Sequence, residues 1–160
     1  MKNVVKRFID ITKIGRCSYK SDIMKEYLIT LAKKLNYRFL DTDREIENLI
    51  GMSVDKIFEV KGEEYFRNLE SQFIRKLEVS NTVISTGGGL PCFHNNIEYL
   101  NKIGITVYLK YSAEELFERI KNDANHRPLL KNKQEEELYV YIRELLKERV
   151  NCYSKAMYIY

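Results

Sequence analysis

The sequence predicts an α/β fold in which a parallel sheet is covered by helices on both faces. Short apolar, β-branched segments alternate with longer segments whose apolar residues recur at helical spacing. Strands that are separated by such helices are typical of βαβ units, which place the strands in parallel. The 160 residues show no internal repeat and no Pro/Gly-rich linker. We therefore expect a single domain over residues 1–160.

The elements follow one another in a regular order. The first clear helix is predicted from Ser21 to Leu35, and a short strand, Arg38–Leu40, follows it and ends in the acidic segment Asp-Thr-Asp. Ligands of open α/β sheets bind beyond the carboxyl ends of the strands. The acidic segment and a glycine triplet that follows a later strand are therefore expected to face one crevice. Further helices are predicted at 53–61, 63–79, 95–102, 112–122 and 134–153, and further strands at 82–85, 105–110 and 156–160.

Composition excludes several classes of function. No apolar stretch approaches the roughly 20 residues that span a bilayer, and the N-terminus lacks the pattern of a secretory signal, so we expect a cytoplasmic protein with no membrane partner. The net charge of +4 is spread along the chain, which argues against a nucleic-acid partner but suits a small anionic substrate. Three cysteines without metal-ligand spacing predict scattered reduced thiols.

Three consecutive glycines, Gly87–Gly89, follow the predicted strand at 82–85, although the chain contains only seven glycines. Without a Cβ, the backbone can approach a ligand closely and turn its N–H groups toward an anion or hydroxyl. Taken alone, the triplet is also compatible with a tight turn. The triplet is therefore a candidate binding segment that needs support from other residues.

Two further features carry charge. Asp41 and Asp43 lie two positions apart, so in an extended segment they would share a face and could hold a metal or accept a hydroxyl proton. Taken alone, they also fit a solvated loop. Arg67 lies in a strongly helical segment, where the simplest explanation for a single arginine is a surface ion pair with a glutamate of the same helix.

The order of the segments along the chain resembles that of shikimate kinases, which are small P-loop enzymes. The segments are "FLDTDREIENLIGMSVDKIFEVKGEEYFRNLE", "VISTGGGLPCF", "HRPLL" and "KERVNCY". The resemblance covers about Leu35 to Tyr160. It implies a three-layer P-loop kinase fold with a central parallel sheet of five strands. It also implies transfer of the ATP γ-phosphoryl group to the 3-hydroxyl of shikimate, in the chorismate route to aromatic amino acids.

The resemblance also implies roles for individual residues in binding shikimate. Asp43 would accept hydrogen bonds from the shikimate hydroxyls and act as the base or orienting group at the 3-hydroxyl. Arg67 and Arg149 would hold the substrate carboxylate, since a planar bidentate donor suits that anion. Gly87, Gly88 and Gly89 would line the pocket, and Gly88 best matches the glycine that contacts the substrate.

The resemblance implies ATP as co-substrate and Mg²⁺ as cofactor. Asp41 matches an acidic residue near the metal. Arg127, in a lid segment at about 112–130, matches an arginine that closes over the phosphates and stabilises charge on the transferring phosphoryl group. Shikimate and ATP are thus the expected small-molecule partners of a chain that we expect to be a monomer.

The N-terminal segment departs from the family pattern G-x-x-x-x-G-K-[ST]. A one-residue deletion in the loop, together with a one-turn insertion in the following helix, aligns "GRCSYKS", residues 15–21, with this pattern. This alignment recovers Gly15, Lys20 and Ser21, with Ser21 as a metal ligand and Lys20 at the phosphates. Tyr19 then replaces the second glycine. An ungapped alignment instead puts Met24 at the lysine position. The sequence ends about where the last strand of the family ends, so the closing helix is expected to be missing.

Several functions stay open from the sequence. The chain is either an active shikimate kinase with an unusual loop, a copy that folds alike but binds ATP poorly, or a non-enzymatic shikimate-binding module. A nucleoside monophosphate kinase or another P-loop small-molecule kinase would share the fold and the lid. A nucleotide acceptor would need a larger pocket and would not need Arg67 and Arg149 around a small carboxylate.

Overall fold

The computed structural model describes residues 7–10, 22–123 and 135–160. Its strands form one sheet in the order β2-β3-β1-β4-β5, and every neighbouring pair is parallel. The prediction of an α/β fold around a parallel sheet is therefore confirmed. The strands are β1 (Arg7–Asp10), β2 (Arg38–Asp41), β3 (Thr82–Ser85), β4 (Ile105–Tyr108) and β5 (Tyr158–Ile159).

Helices cover both faces of the sheet. Successive side chains of a strand point to opposite faces, and β3 shows this directly: Val83 packs with Leu28 and Ala32 of α1, whereas Ile84 packs in a second cluster with residues of α4, α5 and α7. None of the described helices is long and apolar enough to cross a bilayer. The helices are α1 (Asp22–Leu35), α2 (Thr42–Ile50), α3 (Val54–Lys61), α4 (Glu63–Lys76), α5 (Asn96–Ile103), α6 (Ala113–Asp123) and α7 (Glu135–Tyr153).

The carboxyl ends of three neighbouring strands lie level with one another. Asp41 of β2 pairs with Ser85 of β3, and Ser85 pairs with Asp10 of β1. The glycine triplet follows β3, α2 follows β2, and residues 11–21 follow β1. This register brings the start of α2 and the triplet to the same edge of the sheet.

Helix α2 was not expected from the sequence, which suggested an extended acidic segment. Asp41 is the N-cap of α2, and its carboxylate accepts hydrogen bonds from the N–H groups of Asp43 (3.1 Å) and Arg44 (3.4 Å). An aspartate in this position satisfies N–H groups that the first turn leaves without partners. The helix ends at Ile50, because Gly51 takes the left-handed conformation (φ 72°) that favours glycine.

Three other elements are shorter than the sequence predicted. Helix α4 ends at Lys76 instead of continuing to Val79, because Leu77 is already extended. Strand β4 ends at Tyr108, and β5 comprises Tyr158 and Ile159 alone. A 3₁₀ turn at Leu90–Cys92, which the sequence analysis did not predict, follows the glycine triplet and leads toward α5.

Candidate functional site

A cavity of about 400 Å³ lies at the carboxyl edge of the sheet, between the glycine triplet and helices α2, α3, α4 and α7. Its lining includes Asp43, Arg67, the triplet Gly87–Gly89 and Arg149. These residues come from four separate segments of the chain. The structure thus brings together every residue that the resemblance associated with the shikimate pocket.

The glycine triplet supplies space for two charged side chains. A Cβ on Gly87 would lie 2.6 Å from Asp43 Oδ1 and 3.2 Å from Glu70 Oε1. A Cβ on Gly89 would overlap the Arg67 guanidinium, with its Nη2 at 2.6 Å. The two distances of 2.6 Å, to Asp43 and to Arg67, are shorter than real Cβ contacts, so a side chain at either glycine would displace a charged group. Glycine is therefore required here for close approach.

The backbone of the triplet is also held in place. The Gly87 N–H donates to Thr42 Oγ1 (3.2 Å), which ties the triplet to the first residue of α2. The Tyr153 hydroxyl donates to the Gly88 carbonyl (2.7 Å), which ties it to the end of α7. The expectation that the N–H groups of the triplet point toward a ligand is therefore wrong for Gly87, whose N–H is used inside the fold.

Arg67 is buried and fixed by two carboxylates. Its Nε and Nη2 donate to Glu63 Oε1 (3.1 and 2.8 Å), and its Nη1 donates to Glu70 Oε2 (2.8 Å). The guanidinium carbon lies 4.5 Å from the centre of the Phe93 ring. Arg67 therefore does form ion pairs with glutamates of its own helix. These pairs do not lie on the surface, as the simplest explanation expected, because the Arg67 side chain is only 9% exposed. The three contacts use three of the five guanidinium N–H groups.

Glu70 is a charged residue that the sequence analysis did not assign to the site. It is fully buried, and burial raises its pKa from the ordinary 4.5 to about 7, although the Arg67 guanidinium opposes this rise. The nearby charge of Asp43 contributes to this rise. Among the described residues, Glu70 Oε1 has no hydrogen-bond partner. The Glu70 carboxyl therefore keeps its proton to a higher pH than an exposed glutamate does.

Burial also lowers the pKa of the Arg67 guanidinium, but the carboxylates of Glu70 and Glu63 raise it by more. Arg67 therefore keeps its positive charge inside the cavity. The result is a cation that is held rigidly, with N–H groups left for a further acceptor. This arrangement suits the recognition of a small carboxylate.

Arg149 lines the cavity from the C-terminal part of α7, and Tyr153 is the last residue of the same helix. Arg149 is half-buried, and its charge lowers the pKa of Glu70, so it lies close enough to act on the same part of the cavity. Tyr153 is fully buried, and burial raises the pKa of its hydroxyl. The hydroxyl therefore stays protonated and serves as the donor to Gly88. The sequence analysis did not single out Tyr153, although it closes the segment "KERVNCY".

Asp43 and Asp41 occupy different structural positions. Asp43 lies in the first turn of α2 and faces Gly87, whereas Asp41 caps the helix. They do not share a face of an extended segment, as the sequence analysis expected. The described residues contain no group of three or more His, Cys, Asp or Glu side chains that could hold a metal by themselves.

The residues expected at the ATP side lie outside the described part of the chain. They are Gly15, Lys20, Ser21 and Arg127. The lid segment at 112–130 is described up to residue 123 and begins with α6, which packs on α7 through Leu116, Leu138 and Ile142. The geometry of the cavity therefore concerns the acceptor side.

Three comparisons with known proteins agree. The sequence profile of the shikimate kinase family matches residues 25–160. The chain is 47% identical to a shikimate kinase of Clostridium botulinum (strain 657 / Type Ba4) over 128 residues, which are 79% of this chain and 73% of that protein.

Solved structures of the same enzyme are also similar. The crystal structure of shikimate kinase from Bacteroides thetaiotaomicron matches 97% of this chain and 85% of its own, with a TM-score of 0.82 and 34% identity. That of shikimate kinase from Acinetobacter baumannii, in complex with shikimate, matches 98% and 83%, with a TM-score of 0.78 and 32% identity. The fold, the sequence and the cavity lead to one conclusion: the chain belongs to the shikimate kinase family.

Proposed function

We propose that this chain transfers the γ-phosphoryl group of ATP to the 3-hydroxyl of shikimate, a step toward chorismate and the aromatic amino acids. The observation that carries the proposal is a single cavity with a carboxylate at one end and a buried guanidinium at the other, separated by three glycines. Shikimate carries hydroxyls and a carboxylate on one small ring. The family relationship and the shikimate complex of the Acinetobacter baumannii enzyme support the same assignment.

The guanidinium end binds the substrate carboxylate. Arg67 offers the N–H groups that Glu63 and Glu70 leave available, and Arg149 adds a second cation from α7. Because Arg67 is already ordered by its ion pairs, little side-chain entropy is lost when the substrate binds. The raised pKa of Glu70 reduces the negative charge that an anionic substrate meets there.

The carboxylate end acts on the attacking hydroxyl. Asp43 accepts a hydrogen bond from the 3-hydroxyl, orients its oxygen toward the donor and takes its proton as the new bond to phosphorus forms. Phosphoryl transfer depends mainly on such positioning and on electrostatic stabilisation. The Asp41 cap and the Thr42–Gly87 hydrogen bond hold the first turn of α2, and with it Asp43, against the triplet.

The phosphate donor binds at the neighbouring part of the sheet edge. We assign Gly15, Lys20 and Ser21 to the phosphate loop and Arg127 to the lid that covers the phosphates. Asp41 and Ser21 would hold Mg²⁺, which supplies charge neutralisation at the phosphates when bound. Mg²⁺ is usually bound through one or two carboxylates together with substrate phosphates, so a single aspartate, Asp41, at this edge suits it.

Some finer points belong to the same proposal. The chain folds as one three-layer P-loop kinase domain over residues 1–160, works as a monomer and resides in the cytoplasm. The unbroken parallel register from β2 to β5 supports a single domain. Size-exclusion chromatography with light scattering tests the monomeric state, and a dimer at micromolar concentration would contradict it.

The decisive experiment is a coupled ADP-release assay with shikimate, and with AMP and gluconate as alternative acceptors. We expect ADP release that depends on shikimate and not on the other two. If ATP is consumed with AMP or gluconate instead, the chain is another P-loop kinase. If shikimate raises the melting temperature but no ADP is released, the chain is a shikimate-binding protein without activity.

The phosphate-loop assignment has its own test. Lys20→Ala should abolish shikimate-dependent ADP release, because the ammonium stabilises charge on the phosphates. Lys25→Ala, which changes the lysine next to the ungapped position, serves as the matched control and should keep most of the activity. The opposite result would show that the ungapped alignment is correct.

A further inference from the structure

Two cysteines that are distant in sequence meet at the wall of the cavity. Cys92 is the last residue of the 3₁₀ turn and lines the cavity, and Cys152 lies in the last turn of α7. Their side chains lie close enough for each thiol to shift the pKa of the other. Both are half-buried, free thiols that pack against the same apolar cluster. They are therefore neighbours in space, in contrast to the scattered thiols expected from the sequence.

Hydrogen bonds anchor the two backbone segments that carry Cys92 and Cys152. Tyr153, next to Cys152, is fully buried and donates its hydroxyl hydrogen to the Gly88 carbonyl at 2.7 Å, which anchors the end of α7. The buried Asn96 side chain donates to the Leu90 carbonyl at 2.9 Å, which anchors the 3₁₀ turn. The proximity of the thiols thus follows from anchored backbone on both segments.

We propose that Cys92 and Cys152 form a dithiol site that a peroxide oxidises to an intramolecular disulfide. The Cys152 thiolate attacks one peroxide oxygen, the O–O bond breaks, hydroxide leaves, and Cys152 becomes a sulfenic acid. The Cys92 thiolate then attacks the Cys152 sulfur and displaces hydroxide, which forms the S–S bond. The two thiols lose two electrons and two protons, and hydrogen peroxide is reduced to two molecules of water.

The surroundings favour Cys152 as the attacking thiol. The interaction with the Cys92 side chain lowers the pKa of Cys152, burial opposes this, and the positive charges of Lys155 and Arg149 lower the pKa further. The interaction with Cys152, followed by burial, raises the pKa of Cys92. Because the thiolate is the reactive form, Cys152 reacts first and Cys92 completes the disulfide.

The location adds a link to the substrate, and this part rests on the proposed function. Cys92 lies beside Phe93, whose ring stacks on the Arg67 guanidinium, so a bound shikimate carboxylate would sit close to Cys92. Occupation of the cavity then obstructs the approach of the peroxide and the movement of the 3₁₀ turn toward α7. Shikimate should therefore slow the formation of the disulfide.

The test uses the whole chain. The protein is treated with hydrogen peroxide, the remaining thiols are blocked with N-ethylmaleimide, and peptides are mapped by mass spectrometry. We expect a Cys92–Cys152 linked peptide, loss of two hydrogen atoms from the intact mass, and reversal by dithiothreitol, while Cys17 is found alkylated. The absence of this linkage, or a linkage through Cys17 instead, would overturn the proposal.

One variant and a ligand sharpen the result. Cys92→Ala should leave Cys152 unable to form the intramolecular bond and, because it removes the side chain that lowers the Cys152 pKa, should slow the alkylation of Cys152 severalfold. An unchanged alkylation rate would overturn Cys152 as the attacking thiol. Saturating shikimate should slow disulfide formation severalfold in the wild-type chain. A melting-temperature shift in the same sample reports whether shikimate is bound.

The two readouts separate the two proposals. Shikimate that binds without slowing the oxidation would overturn the placement of Cys92 at the substrate. Shikimate that does not bind would contradict the proposed function, and the linked peptide alone would then decide the dithiol site.

Discussion

The two ends of the cavity hold side chains of opposite charge, and at both ends a glycine without a Cβ leaves room for them. At the Gly87 end, the absent Cβ leaves room for two carboxyl groups, Asp43 and Glu70. At the Gly89 end, it leaves room for the Arg67 guanidinium, which Glu63 and Glu70 hold from the other side. Gly88 lies between them and is anchored by Tyr153. The glycine triplet thus lies between a carboxylate end and a guanidinium end of the cavity.

The difference between the ends lies in how each charge is kept in place. Arg67 keeps its charge because two carboxylates compensate for its burial, whereas Glu70 is so deeply buried that its pKa rises to about 7. A buried charge is retained only where partners replace the lost hydration. We therefore expect changes at the carboxylate end to affect turnover and changes at the guanidinium end to affect affinity.

The largest effect is expected from Asp43→Asn, which keeps the shape of the side chain but removes the proton acceptor. Loss of a general base typically lowers the rate by about 10²- to 10⁴-fold. We expect kcat to fall within this range while KM for shikimate changes far less. Asp55→Asn, on α3 and outside the cavity lining, is the control and should retain full activity. A normal kcat for Asp43→Asn would remove this residue from the reaction.

Arg67→Ala should act on affinity. Loss of a charge-assisted contact to a carboxylate costs about 2 to 3 kcal/mol, which corresponds to roughly 30- to 150-fold in Kd for shikimate. Arg67→Lys should recover only part of this loss, because a lysine cannot reproduce the planar fork.

Arg75→Ala is the matched control, because Arg75 lies on the same helix but donates to Ser71, Asn96 and His94 instead of lining the cavity. It should lower the melting temperature and leave Kd unchanged. Calorimetric titration with shikimate measures all three variants. Equal losses for Arg67→Ala and Arg75→Ala would mean that Arg67 acts through stability alone.

The glycine triplet allows a direct test of the two ends. Gly87→Ala should displace Asp43 and lower kcat, whereas Gly89→Ala should displace Arg67 and raise KM for shikimate. Displacing a reacting or binding group by about 1 Å can cost up to roughly 100-fold, so tenfold effects are a reasonable expectation. Steady-state kinetics of both variants, with circular dichroism to check folding, provide the data. The same kinetic defect in both would refute a division of the cavity into two ends.

The last prediction concerns stability instead of activity, through the pH dependence that Glu70 contributes. The folded chain holds the Glu70 proton up to about pH 7, whereas the unfolded chain releases it near 4.5. Between these values the folded state binds more protons, so this group lowers the free energy of unfolding as pH rises, by about 3 kcal/mol in total. Glu70→Gln does not titrate.

The free energy of unfolding of Glu70→Gln, measured relative to wild type by urea denaturation from pH 4 to pH 8, should therefore increase between pH 4.5 and 7 and then level off. Other carboxyl groups contribute equally to both proteins and cancel in the difference. A difference that stays constant across this range would contradict the buried, proton-holding state of Glu70.

Local sequence patterns determined much of the molecule. Helical spacing of apolar residues located α1, α4, α6 and α7 to within a few residues, and the glycine triplet after β3 indicated the place of the cavity. These features depend on neighbours within a turn of helix or along one strand, so the sequence contains their causes directly. Helix α2 is the exception, because an Asp-Thr-Asp segment is compatible with a loop as well as with a capped first turn.

Only the tertiary structure decided which charges are buried and which side chains meet. In the sequence, Glu70 cannot be distinguished from a surface glutamate of a helix. In the folded chain it is fully buried, and this burial raises its pKa. Cys92 and Cys152 become neighbours only because α7 packs on the 3₁₀ turn. Hydration and proximity depend on residues that are distant in sequence, and no local pattern records them, which is why the chemistry of this cavity required the folded chain.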